Sequence, residues 1–117
     1  MKKILASAMV LLSCAASFDA LAGGNIDAGK ALTDKYSCAA CHGKDFNTPI
    51  DPSYPKLAGQ HQDYLEHALT AYRRGGSATN GRANAIMAGQ AKPLSDKDIQ
   101  DIAAYLHSLP GSLVMRK

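Results

Sequence analysis

The stretch "CAACH", Cys38 to His42, constrains this chain more than any other. Two thiols stand two residues apart, and an imidazole follows the second directly. Four chemistries use such a spacing: a disulfide, half of a zinc site, a redox dithiol, and attachment of a larger group. A bond between cysteines three apart closes a very small loop and constrains little of the unfolded chain. A structural zinc needs four ligands, normally from a second pair of similar spacing. His61, His67 and His107 do not form one. A thioredoxin-like dithiol expects a βαβ setting.

The N-terminus bears on the choice. Lys2 and Lys3 precede a run from Ile4 to Leu12 that is apolar apart from Ser7 and too short to span a bilayer as a mature helix. Ala20, Leu21 and Ala22 form a small-x-small cleavage site, with Gly23 as the first mature residue. Residues 1–22 therefore read as a signal peptide and residues 23–117 as one exported domain. Two other readings of the leader stay open. One is an uncleaved anchor. The other is acylation of Cys14 in "LLSC", a poor match because Leu12 sits where a smaller residue is usual. Beyond the leader no further apolar segment invites membrane insertion. The net charge is only +3 at pH 7, and no basic stripe marks a nucleic-acid binder. The chain has no Trp and two Phe, one of them Phe18 in the leader. A domain this small with so few large aromatics has a thin core, and gains from a buried cofactor or a covalent staple.

The mature sequence is helical in pattern and carries no strand alternation. "DAGKALTDKY", from Asp27 to about Tyr36, suits a helix with an acidic start. Pro49, Pro52 and Pro55 make residues 44–59 an ordered loop. Tyr64, Leu65, Ala68, Leu69 and Tyr72 recur at spacings of three and four, predicting a helix from Gln62 to about Arg73. "GGSATNGRAN" is a loop, and "IMAGQAKP" reads as a short irregular segment ended by Pro93. Ser95 and Asp98 make an acidic variant of the capping box. Ile99, Ile102, Ala103, Leu106 and Leu109 then line one face of a last helix, stopped by Pro110 and Gly111. The expected fold is all-α: three main helices whose long loops wrap around something.

Cys-x-x-Cys-His is the attachment sequence of a c-type haem. The thiols add to the two vinyl groups on one porphyrin edge. The next histidine then lies under the iron and can bind it axially. Export supports this reading, since haem is attached outside the cytoplasm. Electron transfer calls for a second axial ligand. The candidates are Met87, Met115, His61, His67 and His107. Met87 lies in the irregular, Gly-containing segment before the capped helix, where a side chain can be aimed inward. Met115 falls in the C-terminal tail. His61 is the fallback.

With these motifs in place, the chain resembles class I cytochromes c, and more narrowly the small single-haem bacterial periplasmic type whose domain also occurs in tandem in dihaem cytochromes. "CAACHG", "YPKLAGQ", "HQDYLEHALTAYRRGG" and "NAIMAGQAKPLSDKDIQDIAAYL" carry the likeness over nearly the whole mature chain. It implies one covalent haem c (heme c) held by Cys38 and Cys41, with His42 and Met87 as iron ligands. It implies that the Pro55 carbonyl takes the hydrogen bond of the His42 ring N–H, that Leu57 packs on the haem, and that Gly29 lets the first helix cross the last near Tyr105. Gln90 departs from the pattern, standing where an apolar residue is expected. The implied function is periplasmic one-electron transfer and not catalysis. The implied partners are redox proteins: a donor such as a quinol-oxidising complex or dehydrogenase, and an acceptor such as a terminal oxidase or reductase. Lys35, Lys44, Lys56 and Lys92 read equally as a docking rim or as ordinary solvated lysines. Two alternatives are a haem subunit of an oxidoreductase complex, and a haem enzyme or sensor with an open or displaceable sixth position.

Overall fold

A computed structural model describes residues 23–113. The leader, Cys14 and Met115 lie outside the described residues, as does the end of the proposed domain. Among the described residues there are five helices and no strands: α1 Ile26–Lys35, α2 Ala39–His42, α3 Gln62–Arg74, α4 Ala85–Ala91 and α5 Asp96–Ser108.

Local chemistry sets the boundaries. The Asn25 side chain caps α1 by accepting from the Ala28 amide at 2.9 Å. Ser95 and Asp98 close the expected capping box on α5, each side chain taking the other's backbone N–H at 3.0 Å. Gly75, at φ +79°, ends α3 in a conformation that disfavours a side chain. The three main helices are therefore where the sequence puts them.

The two short helices are not. The segment read as irregular after Asn84 is helical from Ala85 to Ala91. The Asn84 side chain accepts from the Met87 amide at 2.9 Å and starts it. The alanines favour it, and Gly89 costs one short helix little. The cysteine motif itself closes one α-turn, with the His42 amide donating to the Cys38 carbonyl at 3.1 Å.

Helices α1 and α5 cross closely. A Cβ on Gly29 would lie 1.9 Å from the Asp101 carbonyl oxygen and 2.7 Å from Tyr105 Cβ, so only glycine permits the approach. The crossing is tied by the Asn25 amide, which donates to the Asp101 carboxylate at 2.7 Å; Lys97, one turn earlier on α5, holds that carboxylate from its own helix at 2.8 Å. Ile99, Ile102, Ala103 and Leu106 of α5 meet Leu65 of α3, with Phe46 and Ala58 supplied by the long loop. The loop folds in because the Phe46 carbonyl accepts from both the Leu57 and Ala58 amides. The buried Phe46 ring stands edge-on to Tyr105, centroids 6.1 Å apart. Few large side chains are buried, as the composition implied.

Candidate functional site

Helix α2 presents the cysteine motif as one rigid turn. Ser37, at φ +54°, turns the chain out of α1, and the Cys38 amide donates back to the Thr33 carbonyl at 3.0 Å. The two cysteines are not joined to each other in a disulfide. Burial pushes the Cys38 thiol above its ordinary pKa.

His42 ends the turn and is buried. Its Nδ1 lies 2.9 Å from the Pro55 carbonyl oxygen. A carbonyl only accepts, so Nδ1 is the donor, which in the neutral ring leaves the lone pair on Nε2. No fully buried side-chain nitrogen or oxygen among the described residues lacks a partner. Among the described residues Nε2 has no hydrogen-bond partner, and His42 lines a cavity. The geometry makes that nitrogen a ready metal donor with its ring orientation held from behind.

That cavity, of about 220 Å³, shares a wall with a second of about 80 Å³, and the two are treated as a larger and a smaller lobe. Cys41, His42, Leu57, Ile86, Met87 and Leu106 border both. Pro55 borders only the larger lobe, and Cys38 only the smaller. Met87 reaches the site from the first turn of α4 and is half-buried. It therefore stands on a capped helical turn, not on the irregular segment the sequence suggested. His61 and His67 are exposed and border neither lobe. His107 is exposed and engages the Gln60 carbonyl through Nδ1 at 2.7 Å. Of the sixth-ligand candidates among the described residues, only Met87 reaches the cavity. Gln90 is exposed and borders the smaller lobe, so the noted departure does set an amide beside the methionine wall.

These residues fit an iron porphyrin. They combine two thiols on one turn, an imidazole nitrogen with its lone pair free, a soft thioether from another helix, and aliphatic walls between them. They do not fit zinc: among the described residues no three His, Cys, Asp or Glu side chains gather into a metal-holding group.

The larger lobe also holds a group that the sequence reading missed. Arg82 stands over two tyrosine rings, its guanidinium carbon 5.5 Å from the Tyr64 centroid and 5.4 Å from that of Tyr72. Sequence reasoning placed both tyrosines on an apolar helix face and Arg82 in a glycine-rich loop. Their spacing of eight residues, two turns of helix, was the available signal for a shared ledge.

Residues 26–110 match the family described as cytochrome c. The chain is 40% identical over 117 residues to cytochrome c4 of Stutzerimonas stutzeri, covering 97% of this chain and 53% of that protein. It is 49% identical over 72 residues to cytochrome c-554(548) of Halomonas halodenitrificans, covering 62% of this chain and 83% of that one. The crystal structure of reduced recombinant cytochrome c4 from Pseudomonas stutzeri matches it with a TM-score of 0.67 at 40% identity, over 77% of this chain and 48% of that chain. The chain thus spans about half the length of the cytochrome c4 relatives it matches.

Proposed function

The chain belongs to the cytochrome c family, and we propose that it is an exported electron carrier working through a single haem. Family membership implies one covalent haem c with its iron. When bound, that group supplies a one-electron ferric–ferrous couple. The remaining work falls to the protein. Cys38 and Cys41 would hold the haem covalently from one turn. His42 would offer Nε2 to its iron, with the Pro55 carbonyl keeping the ring in place. Met87 would supply the second protein ligand, and Leu57 would pack against the group.

The observation that carries this reading is the His42–Pro55 contact beside a cavity that Met87 also lines. A soft methionine sulfur favours the ferrous state and raises the potential relative to two histidines. Apolar walls act in the same direction, because low polarity penalises the extra positive charge of the ferric form. A ligand set supplied by two capped or glycine-stopped turns changes little between oxidation states, which keeps reorganisation small.

Residues 1–22 act as a signal peptide, and the mature protein works in the periplasm. Among the described residues no helix is long and apolar enough to cross a membrane. The partners are redox proteins, a donor and an acceptor, that dock briefly over a small area. Lys35, Lys44, Lys56 and Lys92 are all exposed and form the basic side of that contact. On this reading the protein carries electrons and catalyses no bond chemistry.

Absorption spectra of the purified protein in both oxidation states test the reading. A low-spin ferric spectrum with a weak far-red sulfur-to-iron band is expected. A high-spin spectrum without that band points instead to an open or displaceable sixth position, a haem enzyme or sensor. Co-purification with further subunits points to a fixed place in an oxidoreductase complex.

A further inference from the structure

Two histidines grip the same short segment. Residues 55–60 form a strap that leads from the proline-rich loop towards α3. At its start the Pro55 carbonyl oxygen lies 2.9 Å from His42 Nδ1. At its end the Gln60 carbonyl oxygen lies 2.7 Å from His107 Nδ1. Carbonyls accept, so each imidazole is the donor. His42 lines the cavity. His107 stands in the last turn of α5 and is exposed, outside that helix's buried stripe. Core packing therefore gives no reason for a histidine there.

The near end of the strap depends on what holds the far end. Proline has no N–H to donate, and Pro55 and Lys56 are both exposed. Further along, the Leu57 and Ala58 amides donate to the Phe46 carbonyl at 2.7 and 3.0 Å, and the Gly59 amide donates to the Leu106 carbonyl at 2.9 Å. Leu106 lies in the last turn of α5, where carbonyls have no partner inside the helix. The Gln60 amide returns to the Leu57 carbonyl at 3.2 Å and closes the strap into a turn. The Phe46 and Leu106 contacts are made by main chain, which many sequences would keep. The His107 contact is made by one side chain, 47 residues along from Gln60.

We propose that His107 is a positioning residue for His42: by holding Gln60 it keeps the strap seated, and the seated strap keeps the Pro55 carbonyl on His42 Nδ1. The inference rests on the haem reading above, since it gives His107 a part in tuning an iron ligand. His107 borders neither lobe of the cavity, so it acts only through the strap. A firm hydrogen bond at Nδ1 raises the basicity of the other ring nitrogen. His107 thus makes His42 a stronger donor to iron, and a stronger donor favours the ferric state.

The test is hydrogen exchange of the His42 Nδ1 proton, followed by NMR in the reduced holoprotein with His107→Ala and His107→Asn. The alanine variant loses the donor. It is expected to exchange that proton about two- to tenfold faster, the scale of one net hydrogen bond, and to have a higher midpoint potential than the parent. Asparagine carries an N–H close to where Nδ1 stood, and is expected to restore both values. The Asn25 amide, which donates to Asp101 at the α1–α5 crossing, should keep its parent rate in both variants. A His42 proton that exchanges at the parent rate in His107→Ala overturns the proposal. So does an asparagine variant as fast as the alanine one, or an Asn25 amide that speeds up equally. If His107→Ala does not accumulate, the parent protein decides the matter through the tautomer of His107. In alkaline solution the neutral ring should carry its proton on Nδ1; a ring protonated on Nε2 overturns the proposal. A colourless protein sinks the haem reading itself, whereas a coloured one with an unmoved His42 proton sinks only the role of His107.

Discussion

The Nδ1 atom of His42 and the carbonyl oxygen of Pro55 stand 2.9 Å apart, although thirteen residues separate them in the chain. The contact orders the long loop against α2. It also leaves His42 one nitrogen with which to bind a metal. The proline-rich loop is thus the support of the histidine, and not merely a connection between helices.

Met87 is the other proposed ligand. Met87→Ala should abolish the far-red band of the ferric protein and lower its midpoint potential, since axial ligands help set haem potentials over a span of about 0.8 V. His61→Ala should change neither. Spectra and redox titrations of both variants check this; an unchanged Met87→Ala spectrum would remove Met87 from the iron.

Gly29→Ala should destabilise the protein strongly. The new methyl would sit 1.9 Å from the Asp101 carbonyl oxygen, so α1 must lift away from α5. Overpacking of this kind costs about 1–3 kcal/mol and occasionally more. Denaturant unfolding of the holoprotein should show a lower midpoint with the haem spectrum retained.

Ile99 is 2% exposed and borders neither lobe of the cavity. Ile99→Ala should cost about 2–5 kcal/mol of stability while leaving the spectrum and potential unmoved. A shifted potential would show that the core and the site are coupled more tightly than their separation in the fold implies.

Asp101 gives the protein an acid limit. Burial works against its charge, but the Lys97 side chain and the Asn25 amide outweigh that and hold its carboxyl below the ordinary carboxylate value. The folded state therefore prefers the ionised form. The contribution is fully present above the ordinary carboxylate value of about 3.9 and is lost as pH falls through the depressed one. Asp101→Asn should lower stability at pH 7 and make less difference under strongly acid conditions. Thermal or urea unfolding of parent and variant at pH 7 and pH 3 checks the sign.

Much of this structure is legible in the residues themselves. The capping box at Ser95 and the stripe from Ile99 to Leu109 read directly as α5, because both signals are local. The Gly29 crossing came from the family resemblance, and only the fold shows what fills the space beside it. Helix α4 escaped reading because Gly89 and Pro93 masked a seven-residue helix whose one strong signal is the Asn84 cap. The Arg82 ledge escaped for a different reason. Tyr64 and Tyr72 look alike whether they face a core or a cation, and only the return of the loop over α3 brings Arg82 onto them. Long-range closure of that kind has no signature in a window of neighbouring residues.

The central claim is a porphyrin bonded through Cys38 and Cys41. It is tested most directly by the intact mass of the protein isolated from the periplasm, with fragmentation of the peptide that contains both cysteines. The account predicts a chain beginning at Gly23, heavier by one haem, with the added mass confined to that peptide. A colourless protein with the mass of its polypeptide alone would contradict it.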